Sequence, residues 1–203
     1  SKDIVLIDYI VSILKDIDPK IAIKRHEESD KPDAVIATGS DNTNRYFRSK
    51  FGSIPAVLRG SRASVAVLDG SETDAQLTGL VNDIFRYNGL GCRNISHLFV
   101  PTGYDFSRLI ANGTDFPVNY KYINNYTQRA AILKMQDEKY IGGGFFLLRE
   151  ACDFPSAISE ITFQYYCSIS EADNWLIAND SKIQCVEDSI VHSRKVDFGA
   201  SQS

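Results

Sequence analysis

Apolar residues at Ile7, Ile10, Val11 and Leu14 recur three or four positions apart, which predicts an amphipathic helix over residues 5–16 that Asp18-Pro19 ends. A short β-branched run at 21–24 reads as a strand, and 26–32 is charged and turn-like. Residues 33–37 then read as a buried strand, with Thr38-Gly39-Ser40-Asp41 as its exit loop and a short helix over 42–51 that stops at Gly52. Two more strands are predicted over 55–58 and 64–68, separated by Arg59-Gly60-Ser61-Arg62. After the turn Asp69-Gly70-Ser71, a helix capped by Ser71 or Thr73 runs to about residue 88, striped by Leu77, Leu80, Val81, Ile84 and Phe85. Gly89 stands where a helix-ending glycine belongs.

The same rhythm continues to the end of the chain. Strands are predicted over 97–101, 130–135, 145–148, 161–167 and 183–186, and helices over 106–111 and 171–178. Short strands alternating with helices indicate an α/β fold built on a largely parallel sheet. No internal repeat or low-complexity stretch interrupts it. The tail over 198–203 is small and polar and reads as a chain cut before its natural end. The only methionine is Met135, so the sequence reads as an excised domain or a processed product.

Composition adds exclusions. With 43% hydrophobic and 24% charged residues, the 203-residue chain has ordinary globular composition. A net charge of −4 gives no general attraction to nucleic acid or an acidic membrane, and short basic runs such as Lys24-Arg25 and Ser193-Arg194-Lys195 read as solvated faces. No apolar run approaches the ~20 residues of a membrane span. Cys92, Cys152, Cys167 and Cys185 show no CxxC pair and no metal-ligand spacing, a pattern that suits free thiols in a cytoplasmic protein. Three Asn-x-Ser/Thr sequons, at Asn94, Asn112 and Asn125, read as chance matches.

Two segments bear on chemistry. Gly89-Leu90-Gly91-Cys92-Arg93-Asn94 sets a thiol in a helix-to-strand turn where the backbone can approach a substrate and peptide N–H groups can meet an oxyanion. Arg93 supplies a nearby cation, whereas the preceding helix C-terminus disfavours a thiolate. Local sequence alone reads Cys92 more readily as a small buried hydrophobe beside a glycine turn. Thr38-Gly39-Ser40, between a strand and a helix, forms a potential anion-binding turn, although local sequence reads it more readily as an ordinary connection capped by Ser40 or Asp41. Gly142-Gly143-Gly144 lacks phosphate-loop spacing and reads as a turn into the next strand. His97 reads as a packed strand residue rather than a partner for Cys92, and neither His26 nor His192 receives a role.

Taken in order, Ala37-Thr38-Gly39-Ser40, Gly60-Ser61-Arg62 and Cys92 resemble the aldehyde dehydrogenase superfamily. The closer resemblance is to its acyl-CoA reductase branch, the LuxC-type fatty-acid reductases. It is carried by Ala37-Thr38-Gly39-Ser40-Asp41-Asn42-Thr43, Ser64-Val65-Ala66-Val67-Leu68, Gly89-Leu90-Gly91-Cys92-Arg93-Asn94, Gly103-Tyr104-Asp105-Phe106 and Phe198-Gly199-Ala200-Ser201-Gln202. The resemblance implies an open twisted sheet with flanking helices. It divides the chain into a remnant of the nicotinamide cofactor domain over 1–57 and a catalytic domain over 58–203, truncated at its C-terminus. It also implies that Cys92 takes the acyl group from acyl-CoA or another acyl thioester, and that NADPH or NADH reduces this acyl-enzyme to a long-chain aldehyde.

Thr38, Gly39 and Ser40 fall at the family's cofactor-phosphate loop, and Leu58 falls where oxidising members carry a glutamate base. Loss of that base disfavours hydrolysis and preserves the thioester for reduction. Glu160, near a possible ribose contact, is given no role because its surroundings match poorly. The segment carrying the family's oxyanion-hole asparagine would precede residue 1. Family members commonly associate, so a homo-oligomer is expected. Two other readings stay open: an acyltransferase or thioesterase using Cys92 without a redox step, and a non-catalytic interaction module of the same fold.

Overall fold

The computed structural model describes residues 4–27, 29–114, 116–143, 145–188 and 194–202. Helix α1 spans Ile4–Ile17, and none of its residues is buried. Strand β1 (Val35–Thr38), helix α2 (Asp41–Phe51) and strand β2 (Ala56–Arg59) follow, with β1 and β2 paired in parallel as a two-stranded sheet. The chain then crosses Gly60-Ser61-Arg62 into a second sheet. Its elements are β3 (Ala63–Val67), α3 (Asp74–Phe85), β4 (Ile95–Pro101), α4 (Ser107–Gly113), α5 (Tyr120–Met135), β5 (Ile141–Gly143), β6 (Phe146–Glu150), β7 (Glu160–Tyr166), α6 (Ile169–Ala178), β8 (Ile183–Asp188) and β9 (Lys195–Val196).

The seven strands lie in the order β5-β6-β7-β4-β3-β8-β9, and only the β5–β6 pair is antiparallel. Strand alternation divides the core. Ala66, Leu98, Val100, Leu148 and Phe163 face α3, α4 and α5, where Leu77, Leu80, Ile84, Phe85 and Leu109 meet them. On the other face, Val65, Val67, Phe99, Ile183 and Val186 pack against Ala172 and Leu176 of α6. A parallel sheet covered on both faces needs the near-continuous apolar strands that the sequence displays. The fold is the expected α/β sheet with flanking helices.

Several local expectations need correction. Residues 21–24 form no strand, because no neighbouring strand among the described residues offers them a ladder. Residues 33–37 are not a buried strand: β1 has a single partner, and Ile36 is 84% exposed. Residues 130–135 end the long helix α5 rather than forming a strand. Asn119 caps that helix by accepting from the Tyr122 amide, and the apolar run 130–133 carries Leu133 into the core. Helix α3 ends at Phe85, before the predicted residue 88, because Tyr87 and Asn88 turn left-handed ahead of Gly89.

Gly142 and Gly143 lie in β5 rather than in a turn. A Cβ on Gly143 would meet Ile110 Cγ1 at 2.5 Å, so close packing explains that glycine, while Gly144 lies outside the described residues. The small, polar tail packs against the fold: Ser201 is fully buried, and Gly199 (φ +87°) lets the backbone press against Gly79. No helix among the described residues is long and apolar enough to cross a membrane.

Candidate active site

The thiol-bearing turn is held by Asn94. Its Nδ2 donates to the carbonyls of Asp83 (2.7 Å), Ile84 (3.2 Å) and Arg86 (2.7 Å), where the last turn of α3 would otherwise leave acceptors unmet. Its Oδ1 accepts the Gly91 N–H at 2.7 Å. A Cβ on Gly91 would sit 2.8 Å from that oxygen, so glycine is required there by close approach. The sequence shows Asn94 as a sequon and as the end of the thiol motif, without a role; it is buried, and its amide belongs to the turn.

Cys92 itself is exposed, contrary to the local reading of a small buried residue. Its carbonyl accepts from Ser64 Oγ at 3.2 Å, and its own N–H has no hydrogen bond among the described residues. That amide can meet an oxyanion; the Gly91 amide, engaged by Asn94, cannot. Arg93 is fixed by its Nη1 donating to the Ser201 carbonyl at 2.8 Å, a contact that orients the guanidinium without neutralising it. Below the turn, Ser64 Oγ also lies 2.9 Å from Cys185 Sγ, and burial pushes that second thiol's pKa up. Asp83 Oδ2 accepts from the Ser201 amide at 2.9 Å. Burial first, and then the neighbouring Asp83 carboxyl, push Glu187 up to about 11, so it is a neutral acid in the fold. Neither Glu187 oxygen has a hydrogen-bond partner among the described residues.

Cys92 opens onto a cavity of about 690 Å³ between the two sheets, whose lining also includes Thr38, the turn from Arg59 to Arg62, and Glu160. Of the three residues expected at a cofactor's phosphates, Thr38 lines this cavity, while Gly39 and Ser40 do not. Gly39 donates its N–H to the Arg59 carbonyl (3.1 Å), and Ser40 caps α2 by accepting the Thr43 amide (3.3 Å). The Asn42 amide in the first turn of α2 has no hydrogen bond among the described residues. Of the segment from Thr38 to the first turn of α2, only Thr38 reaches the cavity.

Other candidate acid–base groups are spoken for. Glu160 is fully buried between Arg129 and Arg149, with Arg149 Nε at 2.6 Å, so its charge is already matched. Leu58 lines a separate depression with Arg48 and Phe51 rather than the cavity. His97 does not line the cavity either. It stacks on Trp175 (ring centroids 5.2 Å apart) with Nδ1 2.7 Å from Thr162 Oγ1, and burial pulls its pKa down to about 4. His192 lies outside the described residues.

Comparison with solved structures gives the fold a name: it is that of aldehyde dehydrogenases. An indole-3-acetaldehyde dehydrogenase in complex with NAD+ matches at a TM-score of 0.58 and 14% identity, covering 79% of this chain and 41% of that one. A NAD-dependent benzaldehyde dehydrogenase from Corynebacterium glutamicum matches at 0.54 and 14% identity, over 77% of this chain and 42% of that one. An acetylating aldehyde dehydrogenase from Geobacillus thermoglucosidasius matches at 0.51 and 12% identity, over 77% and 41%. The chain thus spans about two fifths of the length of these structures. No protein-family model and no curated protein matches it.

Proposed function

We propose that this chain carries the nucleophile of a cysteine-dependent acyl-CoA reductase that uses NADPH or NADH to form a long-chain aldehyde. The observation that carries the reading is an exposed thiol, Cys92, on a glycine turn, sharing one cavity with the Thr38 end of a strand-to-helix turn. The cavity wall offers Leu90, Ala157, Ile158 and Ile161 to an apolar acyl chain. The Cys92 thiolate attacks the thioester carbonyl while its own amide donates to the oxygen that gains charge. Collapse breaks the carbon–sulfur bond to the carrier, leaving the acyl group on Cys92 and releasing the carrier as its thiolate.

Thr38, on the wall of the cavity that holds Cys92, would contact a phosphate of a nicotinamide cofactor, which supplies the hydride that reduces the acyl-cysteine. No free carboxylate or imidazole among the described lining residues is available to activate water against that thioester, which favours reduction over hydrolysis. The fold likeness to an acetylating aldehyde dehydrogenase supports the acyl-thioester reading.

The test is intact-mass and peptide-level analysis after incubation with a long-chain acyl-CoA. One acyl adduct on Cys92, absent in Cys92→Ala, is the expected result. An adduct distributed over exposed Cys152 and Cys167 and unaffected by Cys92→Ala would remove Cys92 from the role. Adduct turnover without a nicotinamide would favour the acyltransferase or thioesterase alternative.

A further inference from the structure

Arg59 and Arg62 bracket the Gly60-Ser61 turn between the two sheets, and both line the cavity that holds Cys92. Arg59 is the register partner of Thr38 in the β1–β2 ladder, so the two side chains leave the same face of that sheet. Elsewhere, Arg25 pairs with Asp8, Arg108 with Asp74, Arg194 with Asp180, and Arg129 and Arg149 with Glu160. Neither Arg59 nor Arg62 has an ion pair or side-chain hydrogen bond among the described residues. Glu160, the one acid on the cavity wall among the described residues, is already matched by two arginines that do not themselves line it. The cavity therefore carries uncompensated positive charge. One further donor lies on its wall, the exposed Thr38 residue with its hydroxyl.

A guanidinium pair with an adjacent hydroxyl on the wall of one cavity matches a phosphate ester or diphosphate. We propose that Arg59 and Arg62 form an anion clamp for a phosphate group of the ligand whose reacting end reaches Cys92. The clamp deepens the acyl-thioester reading and rests on it for the identity of that ligand. The phosphate belongs either to the thioester's carrier or to the nicotinamide cofactor, and the two sources differ in what protects the thiol.

The clamp can be read from Cys92 alkylation without any turnover. Peptide-level mass spectrometry gives the rates with anionic iodoacetate and neutral iodoacetamide in the wild-type chain, Arg59→Gln, Arg62→Gln and the double variant. The iodoacetate-to-iodoacetamide ratio at Cys92 should exceed that at exposed Cys152 and fall about threefold or more in the double variant. In the wild type, the same ratio should fall as sodium chloride rises, which needs no variant to fold. Pyrophosphate should slow alkylation of Cys92 in the wild type and lose that effect in the double variant. Clamp-dependent protection by desulpho-coenzyme A assigns the carrier as the source; such protection by NADP+ assigns the cofactor. A wild-type ratio at Cys92 equal to that at Cys152 and insensitive to salt, with pyrophosphate protecting nothing, overturns the clamp. Failure of the acyl-enzyme reading looks different: no acyl adduct forms on Cys92, yet the iodoacetate preference persists.

Discussion

Replacing Asn94 should weaken the fold and the thiol turn together, and the size follows from its hydrogen bonds. The amide has two N–H groups, spread over the carbonyls of Asp83, Ile84 and Arg86, and its oxygen accepts from Gly91. Three bonds at about 1 kcal/mol each put Asn94→Ala at about 3 kcal/mol of destabilisation. For a chain of this length that is a fall in Tm of roughly 6–12 °C. Asn94→Asp is the sharper perturbation, because it keeps the shape and the acceptor for Gly91 but turns a carboxylate oxygen toward three carbonyls. At a helix C-terminus, where negative charge is already disfavoured, Asp should cost more than Ala. Thermal and urea unfolding of both variants, with the Cys92 alkylation rate measured under native conditions, tests the argument. An Asn94→Asp protein as stable as the wild type, or an Asn94→Ala cost below about 1 kcal/mol, would refute it.

Three further outcomes are expected. Gly79→Ala would add about 1 kcal/mol of helix propensity at an open site, but here the new Cβ lies 2.8 Å from the Phe198 carbonyl. The variant should therefore lose stability in urea and show faster proteolysis after residue 198; a more stable protein would mean the tail is not packed there. His97 is neutral in the fold, with a pKa near 4 against an ordinary 6.5, so its stability contribution is complete above pH 6.5 and lost as pH falls toward 4. That loss is about 3 kcal/mol, and His97→Phe should flatten the acid limb of the wild-type Tm profile. Glu187 has the opposite sign: its pKa rises from 4.5 to about 11, so its contribution is complete below pH 4.5 and declines through neutral pH as the unfolded chain ionises. Glu187→Gln should gain Tm over the wild type as pH climbs from about 5 to 8, and a constant difference would count against a buried neutral acid.

The sheet was legible in the sequence because its strands are buried on both faces and therefore read as apolar runs, as at Val65, Ala66 and Val67. The same feature misled at residues 130–135: an apolar run carries no period, and the deciding cue, the Asn119 cap, lies eleven residues before residue 130. Residues 21–24 failed for a complementary reason, since β propensity without a partner strand specifies nothing. At the candidate site, the glycines around Cys92 were legible because a close turn needs them. Asn94 was present in the motif, but nothing in a single sequence says that an amide will reach back to cap a helix ended at Phe85. Gly39 and Ser40 show the limit of motif reasoning: both fall where the resemblance places a cofactor loop, yet their polar atoms are engaged within the chain by Arg59 and Thr43.

The electrostatics of the thiol follow from how nearby charges are spent. Position in sequence pointed to Arg93 as the cation that would favour a thiolate and to the end of α3 as the dipole that would oppose it. The structure changes both. Asn94 donates to the exposed carbonyls of α3, covering the negative end of that dipole, while Arg93 turns to the Ser201 carbonyl and ties the tail to the turn. What remains without an ion pair on the cavity wall, among the described residues, is the Arg59 and Arg62 pair, about thirty residues from Cys92 in sequence and brought to the same cavity. Arg93 keeps its charge in donating to a neutral carbonyl, so the turn between the two sheets adds to the positive charge near Cys92 rather than replacing it. The register of β1 and β2 carries Thr38 and Arg59 to the same wall, so under the proposed clamp a shift of that register should change the reactivity of Cys92.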